Sequence, residues 1–208
     1  FAAKALEAGA AAVMVEQGAN LEASPALVVD DTRLALGKLA AWHRTTMPAK
    51  LAAITGSNGK TTVKEMVAAI LAEAAGAEAV LATSGNLNND IGMPLTLLRL
   101  TPAHRYAVIE MGMNHPGEIG YLTELARPDV ALVNNALRAH LEGLGSLEAV
   151  ARAKGEIYAG LKSDGVAIVN ADDPHAGLWR TMNNDRKILS FGFARGADVR
   201  VQSLDDTA

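Results

Sequence analysis

No cysteine occurs among the 208 residues. That excludes disulfides, thiolate metal ligands and a cysteine nucleophile. It suits a reducing compartment, and the expectation is a cytoplasmic protein. Aromatic residues make up only 4%, so Ala, Val, Leu and Ile must fill the core. Hydrophobic residues reach 50%, which is enough for a sizeable core and argues against disorder. No apolar run has the length of a membrane span. No signal-peptide pattern is visible, and there is no internal repeat. Positive charge is not in surplus: the formal net charge is −4, which argues against a nucleic-acid-binding surface. The first residue is Phe1 rather than Met, and the expectation is that the natural N-terminus lies upstream.

What is present centres on Leu51 to Ile70. Leu51-Ala52-Ala53-Ile54-Thr55 is a short apolar run suited to a buried strand. Gly56-Ser57-Asn58-Gly59-Lys60-Thr61-Thr62 is a glycine-bounded polar loop. Val63, Met66, Val67 and Ile70 then recur at helical spacing. Strand, loop and helix in this order are the context of a phosphate-binding loop. Glycines let backbone N–H groups turn inward, and the helix start adds unpaired donors with partial positive charge. Lys60 can reach terminal phosphates, and the Thr61 hydroxyl can bind Mg²⁺. Two residues separate Gly56 from Gly59, not four, so the general motif fails. Glycine-rich strand-to-helix turns are common; Lys-Thr-Thr at the helix start distinguishes this one.

Elsewhere strands and helices alternate. Ala11–Val15 and Leu27–Val29 read as short strands. Thr32 is the expected cap of a helix through Arg44, with Leu34, Leu36, Leu39, Ala40 and Trp42 as its apolar positions. Thr45–Ala49 reads as a linker. Further strands are expected at Ala79–Thr83, Tyr106–Glu110, Val130–Asn134, Val166–Asn170 and Ile188–Phe191. Helices are expected from Pro94 to Leu100, around Ile119, Leu122 and Leu125, from Ser146 through Leu161, and at His175–Met182. A strand starts at Val199. This alternation predicts an α/β fold: a mainly parallel sheet with helices on both faces, preceded by the tail of a small α/β unit. Ligands in such sheets sit beyond the carboxyl ends of the strands. Thr55, Ser84, Glu110, Asn134 and Asn170 all fall there.

Glu110 directly follows an apolar strand, where an acid can hold Mg²⁺ beside a bound nucleotide. A solvated carboxylate would look the same. His140 lies in the loop after the next strand, and imidazole is a less usual Mg²⁺ ligand than oxygen. Lys154 and Glu156 read as an ordinary helical lysine and acid. Asn86, Asn88, Asn89 and Asp90 form a polar turn at the mouth of the presumed site. His43, His104, His115 and His175 have no metal-site spacing. Asp172-Asp173-Pro174 reads as a turn and helix start.

At Thr55-Gly56-Ser57-Asn58-Gly59-Lys60-Thr61-Thr62 the sequence resembles the Mur ligase family. Ile109-Glu110-Met111-Gly112, Ala139-His140-Leu141-Glu142 and Ala153-Lys154-Gly155-Glu156-Ile157 follow in the family's order. Gly85-Asn86-Leu87-Asn88-Asn89-Asp90-Ile91-Gly92-Met93-Pro94 points to the branch acting on D-alanyl-D-alanine. The resemblance implies an ATP- and Mg²⁺-dependent, ADP-forming ligase of peptidoglycan precursor synthesis. It would join D-alanyl-D-alanine to UDP-N-acetylmuramoyl-tripeptide through an acyl phosphate. By the same resemblance, residues 1–48 are the end of a UDP-substrate domain plus a connecting helix. Residues 49–208 are a central ATP-binding domain, and a C-terminal domain is absent. The backbone of Gly56, Ser57, Asn58, Gly59, Lys60, Thr61 and Thr62 would hold the phosphates, with Asn134 and Asn135 near the nucleotide. Thr61 and Glu110 would bind one Mg²⁺. His140 would lie near a second, and Lys154 would act as a carbamate beside it. Lys60, Glu110, His140 and Lys154 would be catalytic; Asn88, Asn89 and Asp90 would face the substrate. Rival readings are another Mur-type or folylpolyglutamate synthase-like ligase, or a nucleotide-hydrolysing switch module.

Overall fold

The computed structural model describes residues 1–19, 25–138 and 145–202. Helix α1 (Ala2–Glu7) leads into a two-stranded parallel sheet of β1 (Val13–Glu16) and β2 (Ala26–Val29). Helix α2 (Thr32–Thr45) then runs to the main sheet. Its cap is Asp31, not the expected Thr32. The Asp31 carboxylate accepts from Arg33 N and Leu34 N, while the Thr32 hydroxyl donates to Glu16. A carboxylate is at least as good a cap as a hydroxyl and adds charge at the positive helix end.

The main sheet contains β3 (Lys50–Thr55), β4 (Val80–Ala82), β5 (Tyr106–Glu110), β6 (Val130–Val133), β7 (Val166–Asn170), β8 (Lys187–Gly192) and β9 (Val199–Arg200). Its spatial order is β4-β5-β3-β6-β7-β8-β9, and every pairing is parallel. The helices between them are α3 (Lys60–Ala75), α4 (Gly92–Leu97), α5 (Glu118–Ala126), α6 (Leu147–Gly155) and α7 (Ala176–Thr181). The expected α/β fold is therefore present. After β3 the chain crosses to β4 and β5 on one side; β6 and all later strands lie on the other. The crevice between β3 and β6 is thus a topological switch point, where parallel sheets bind ligands.

The core forms where sheet and helices meet, from Leu51, Ala53, Ile109, Ala131, Val133, Ala167 and Val169 on the strands with Leu97, Ile119, Leu122, Val150 and Trp179. Four helix expectations change. In α2 the apolar residues Leu34, Leu39 and Trp42 are exposed, whereas Gly37, Ala40 and Arg44 are buried. The reason is close approach: a Cβ on Gly37 would lie 2.1 Å from the Tyr121 hydroxyl. In α3, Met66 and Ile70 point outward, and Lys64 is the buried residue. Its ammonium donates to Thr83 O at 2.7 Å and to Glu65 Oε1 at 2.6 Å. The helix expected through Leu161 ends at Gly155 and continues as a tighter turn, Glu156–Tyr158. Helix α4 also starts at Gly92, two residues before Pro94.

One polar cluster pins the base of this arrangement. Asp129, just before β6, accepts from Leu51 N at 2.8 Å, Lys162 Nζ at 2.8 Å and Lys50 Nζ at 3.2 Å. Arg44 at the end of α2 reaches Asp129 at 3.5 Å and donates to Ala126 O at 3.1 Å. Burial draws the Asp129 carboxyl upward, but these hydrogen bonds outweigh it and hold it below the usual carboxylate range.

Candidate active site

The glycine loop follows β3 directly, and α3 begins at Lys60. Gly59 has φ 74°, a left-handed conformation that glycine adopts without strain. A Cβ on Gly56 would come 3.0 Å from the Asn134 side chain. The loop is clamped from the end of β6. Asn58 N donates to Asn135 Oδ1 at 3.0 Å, and Asn58 O accepts from Asn134 Nδ2 at 3.0 Å and Asn135 Nδ2 at 3.1 Å. Ser57 exchanges hydrogen bonds with Leu137: its hydroxyl donates to Leu137 O at 3.1 Å and accepts from Leu137 N at 2.9 Å. Asn134 and Asn135 thus shape the loop itself. The Lys60 ammonium folds back onto Gly56 O at 2.9 Å and Ser57 O at 3.5 Å. Those carbonyls hold it where a phosphate arriving at the loop can take it over.

Glu110 ends β5, beside β3, and is 2% exposed. Its Oε2 accepts from Thr61 Oγ1 at 2.9 Å and its Oε1 from Asn88 Nδ2 at 2.8 Å. Among the described residues no ion pair reaches it. A buried carboxylate with two neutral donors and no cation fits a metal ion. No group of three His, Asp or Glu forms a metal cluster among the described residues. Mg²⁺ bound to a nucleotide needs none, because phosphates and water fill most of its shell. Thr61 Oγ1 and the Glu110 carboxylate, 2.9 Å apart, are the oxygens the protein could offer such an ion.

The Asn-rich loop divides its labour. Asn88 turns to Glu110. The Asn89 Oδ1 accepts from Gly92 N at 2.8 Å, so it also braces its own loop. Asp90 pairs with Arg33 of α2. Lys154, at the end of α6, is 2% exposed, and its ammonium makes none of the described side-chain hydrogen bonds. Burial, with a further push from the Lys60 charge, brings its ammonium down to about 8. All five meet at one cavity of about 690 Å³, whose walls include Lys60, Asn88, Asn89, Asp90 and Lys154. Arg33, Leu34, Glu118 and Tyr121 also line it, and sequence reasoning missed them as site residues. Arg33 meets Asp90 across 57 positions, a distance no local pattern spans. Thr62 stays in the first turn of α3 and is exposed. His140 lies outside the described residues.

Residues 54–208 match the Mur ligase middle domain family. This chain belongs to the Mur ligase family. Its relatives agree with that match. It is 52% identical over 206 residues to UDP-N-acetylmuramoyl-tripeptide–D-alanyl-D-alanine ligase of Haemophilus influenzae, covering 99% of this chain and 44% of that protein. It is similar to the crystal structure of MurF from Acinetobacter baumannii, with a TM-score of 0.87 and 41% identity. That match covers 98% of this chain and 43% of the other. The MurF ligase of Thermotoga maritima, solved with ADP, matches with a TM-score of 0.82 and 33% identity over 94% of this chain and 44% of the other. The Mur ligase chain described here thus spans less than half the length of these relatives. No helix among the described residues is long and apolar enough to cross a membrane.

Proposed function

We propose that this chain carries the nucleotide site and the peptide-carboxylate site of an ATP-dependent, ADP-forming ligase. The reaction joins D-alanyl-D-alanine to UDP-N-acetylmuramoyl-tripeptide. The observation that carries this reading is one cavity walled at once by the phosphate-loop lysine, Lys60, and by the buried lysine, Lys154. A site that only hydrolysed a nucleotide would not need so large a chamber extending from Lys60 to Lys154. Residues 1–48 are assigned to the UDP-substrate side and residues 49–208 to the ATP-binding unit, with α2 connecting them.

The physical problem is the meeting of two anions, a nucleotide phosphate and a carboxylate. The backbone from Ser57 to Thr61 holds the phosphates at the start of α3. Lys60 transfers its ammonium from Gly56 O and Ser57 O to the phosphate oxygens. Thr61 and Glu110 would hold Mg²⁺, whose charge offsets the repulsion and polarises the transferring group. A carboxylate oxygen of the tripeptide then takes the terminal phosphoryl group, and ADP leaves. The amine of D-alanyl-D-alanine adds to the acyl carbon, loses a proton, and phosphate departs. Asn88 keeps Glu110 oriented, and the cavity walls align the carboxylate.

Lys154 fits carbamate formation: it is buried, its ammonium has no partner among the described side-chain hydrogen bonds, and burial frees a neutral amine at lower pH than usual. The neutral amine is the form that reacts with CO₂. A carbamate would turn a buried cation into an anion facing Lys60.

Phosphate release is the test. The complete protein should release phosphate only with ATP, UDP-N-acetylmuramoyl-tripeptide and D-alanyl-D-alanine all present, and Lys60→Ala should abolish it. Turnover without the peptide substrates would favour a nucleotide-hydrolysing switch instead.

A further inference from the structure

Glu156 lies two residues beyond Lys154, in the turn that follows α6. Its carboxylate leaves that turn and crosses to α5. Oε1 accepts from Gly117 N at 2.9 Å; Oε2 accepts from Gly117 N at 3.0 Å and from Gly120 N at 3.0 Å. Helix α5 lacks a cap of its own. Its N-cap is Gly117, at φ 86°, with no side chain to take the free N–H groups of the first turn. The cap is supplied from a different element, 36 and 39 residues away in sequence. A carboxylate also suits the positive end of a helix.

The same seam is fastened further along. Thr123 Oγ1 donates to Ile157 O at 2.7 Å. Gly160 sits so close to Thr123 that a Cβ there would lie 2.2 Å from the Thr123 carbonyl oxygen. Helix α5 and the Glu156–Gly160 segment therefore form one block. At the cavity end of that block, Gly117, Glu118, Tyr121 and Lys154 are walls of the same chamber. Glu156 is the fastening nearest the chamber.

We propose that Glu156 is a positioning residue for the ligase reaction: its carboxylate fixes the spacing between Lys154 and the α5 wall against which the peptide end of the muramoyl substrate rests. The inference rests on the proposed function. Nucleotide affinity does not depend on it, because Asn134, Asn135 and Leu137 hold the phosphate loop from another side of the sheet. Glutamine replaces the carboxylate only in part. Its oxygen in the Oε2 position could accept from both glycines, but its amide would then face the Gly117 N–H, itself a donor, and the negative charge at the helix start would be lost. Aspartate keeps both acceptors and the charge but is shorter by one methylene.

The experiment compares the complete protein with its Glu156→Gln and Glu156→Asp variants. The readouts are ADP affinity, melting temperature, steady-state kinetics with UDP-N-acetylmuramoyl-tripeptide, and the rate of Lys154 acylation in bicarbonate-free buffer, followed by peptide mass spectrometry. Glu156→Gln should leave ADP affinity within about twofold and lower kcat/KM for the muramoyl substrate by about 10- to 100-fold. Lys154 should acylate several times faster, and Glu156→Asp should restore part of both changes. A lower melting temperature with unchanged Lys154 acylation and unchanged kinetics would overturn the inference, leaving Glu156 a helix cap and no more. If Glu156→Gln does not fold, Glu156→Asp decides by the same two readouts. Absence of ligation in the unmutated protein would count against the proposed function, and the acylation comparison would still decide for or against Glu156.

Discussion

Glu110→Gln should make the ligand-free protein more stable and the metal-loaded protein less so. Glutamine is nearly isosteric with glutamate. Its carbonyl can accept from Asn88 Nδ2, and its amide can donate to Thr61 Oγ1, which is able to accept once its own proton turns elsewhere. Both contacts therefore survive in altered polarity. What disappears is a carboxylate that is 2% exposed and meets only neutral donors. Relieving that desolvation is worth about 1–2 kcal/mol, after allowing for the hydrogen bonds that already compensate it. For a chain of this size that gain raises the melting temperature by roughly 2–8 °C. Adding Mg²⁺ and a non-hydrolysable ATP analogue should reverse the order. At about one hundred times its dissociation constant, a ligand that binds only the folded form adds about 2.7 kcal/mol. The unmutated protein should show that shift and Glu110→Gln only a fraction of it. Differential scanning fluorimetry in chelator and in Mg²⁺–nucleotide reads both halves. A Glu110→Gln protein that melts below the parent in chelator would refute the reasoning, since the carboxylate would then have a compensating partner.

Asp129→Asn should lose roughly 1–3 kcal/mol at pH 7, because one neutral amide replaces the anion that meets Arg44, Lys50 and Lys162. The folded carboxyl lies below its unfolded value, so its stabilisation is present above the unfolded pKa and fades as pH falls through the folded one. Urea melts at pH 7 and pH 3 should show the gap between the two proteins narrowing; a constant gap would contradict it. Gly160→Ala should destabilise by about 1–3 kcal/mol through overpacking against the Thr123 carbonyl, read as a lower urea midpoint, and an unchanged midpoint would show that the seam yields. Lys154→Ala should lose ligation and recover part of it with short carboxylic acids, whereas no recovery would leave the carbamate without support.

The phosphate loop was legible because its chemistry is local. Strand, glycines and Lys60-Thr61 occupy one short segment, and the backbone consequences follow from those residues alone. The polar strand ends were legible for a related reason: a parallel sheet sends all its strand ends to one edge. What stayed hidden depends on distant partners. Gly37 and Arg44, not Leu39 and Trp42, face inward on α2 because Tyr121 and Asp129 wait there. Lys64 is buried because Thr83 O receives it. Asp31 took the capping role from Thr32 through a competition between neighbours that spacing could not resolve. Glu156 looked like an ordinary helical acid because its two donors, Gly117 N and Gly120 N, lie at the start of a different helix. Arg33 carried no signal at all until the fold set it beside Asp90.

Helix α2 has one more consequence. Arg44 is fixed to the base of the sheet through Ala126 and Asp129, while Arg33, near the other end, stands in the cavity wall. The two residues are about 16 Å apart along a helix that rises 1.5 Å per residue. One helix thus ties a wall of the cavity to the base of the main sheet, and Gly37, pressed against Tyr121 between the two arginines, sets how closely that helix lies on α5.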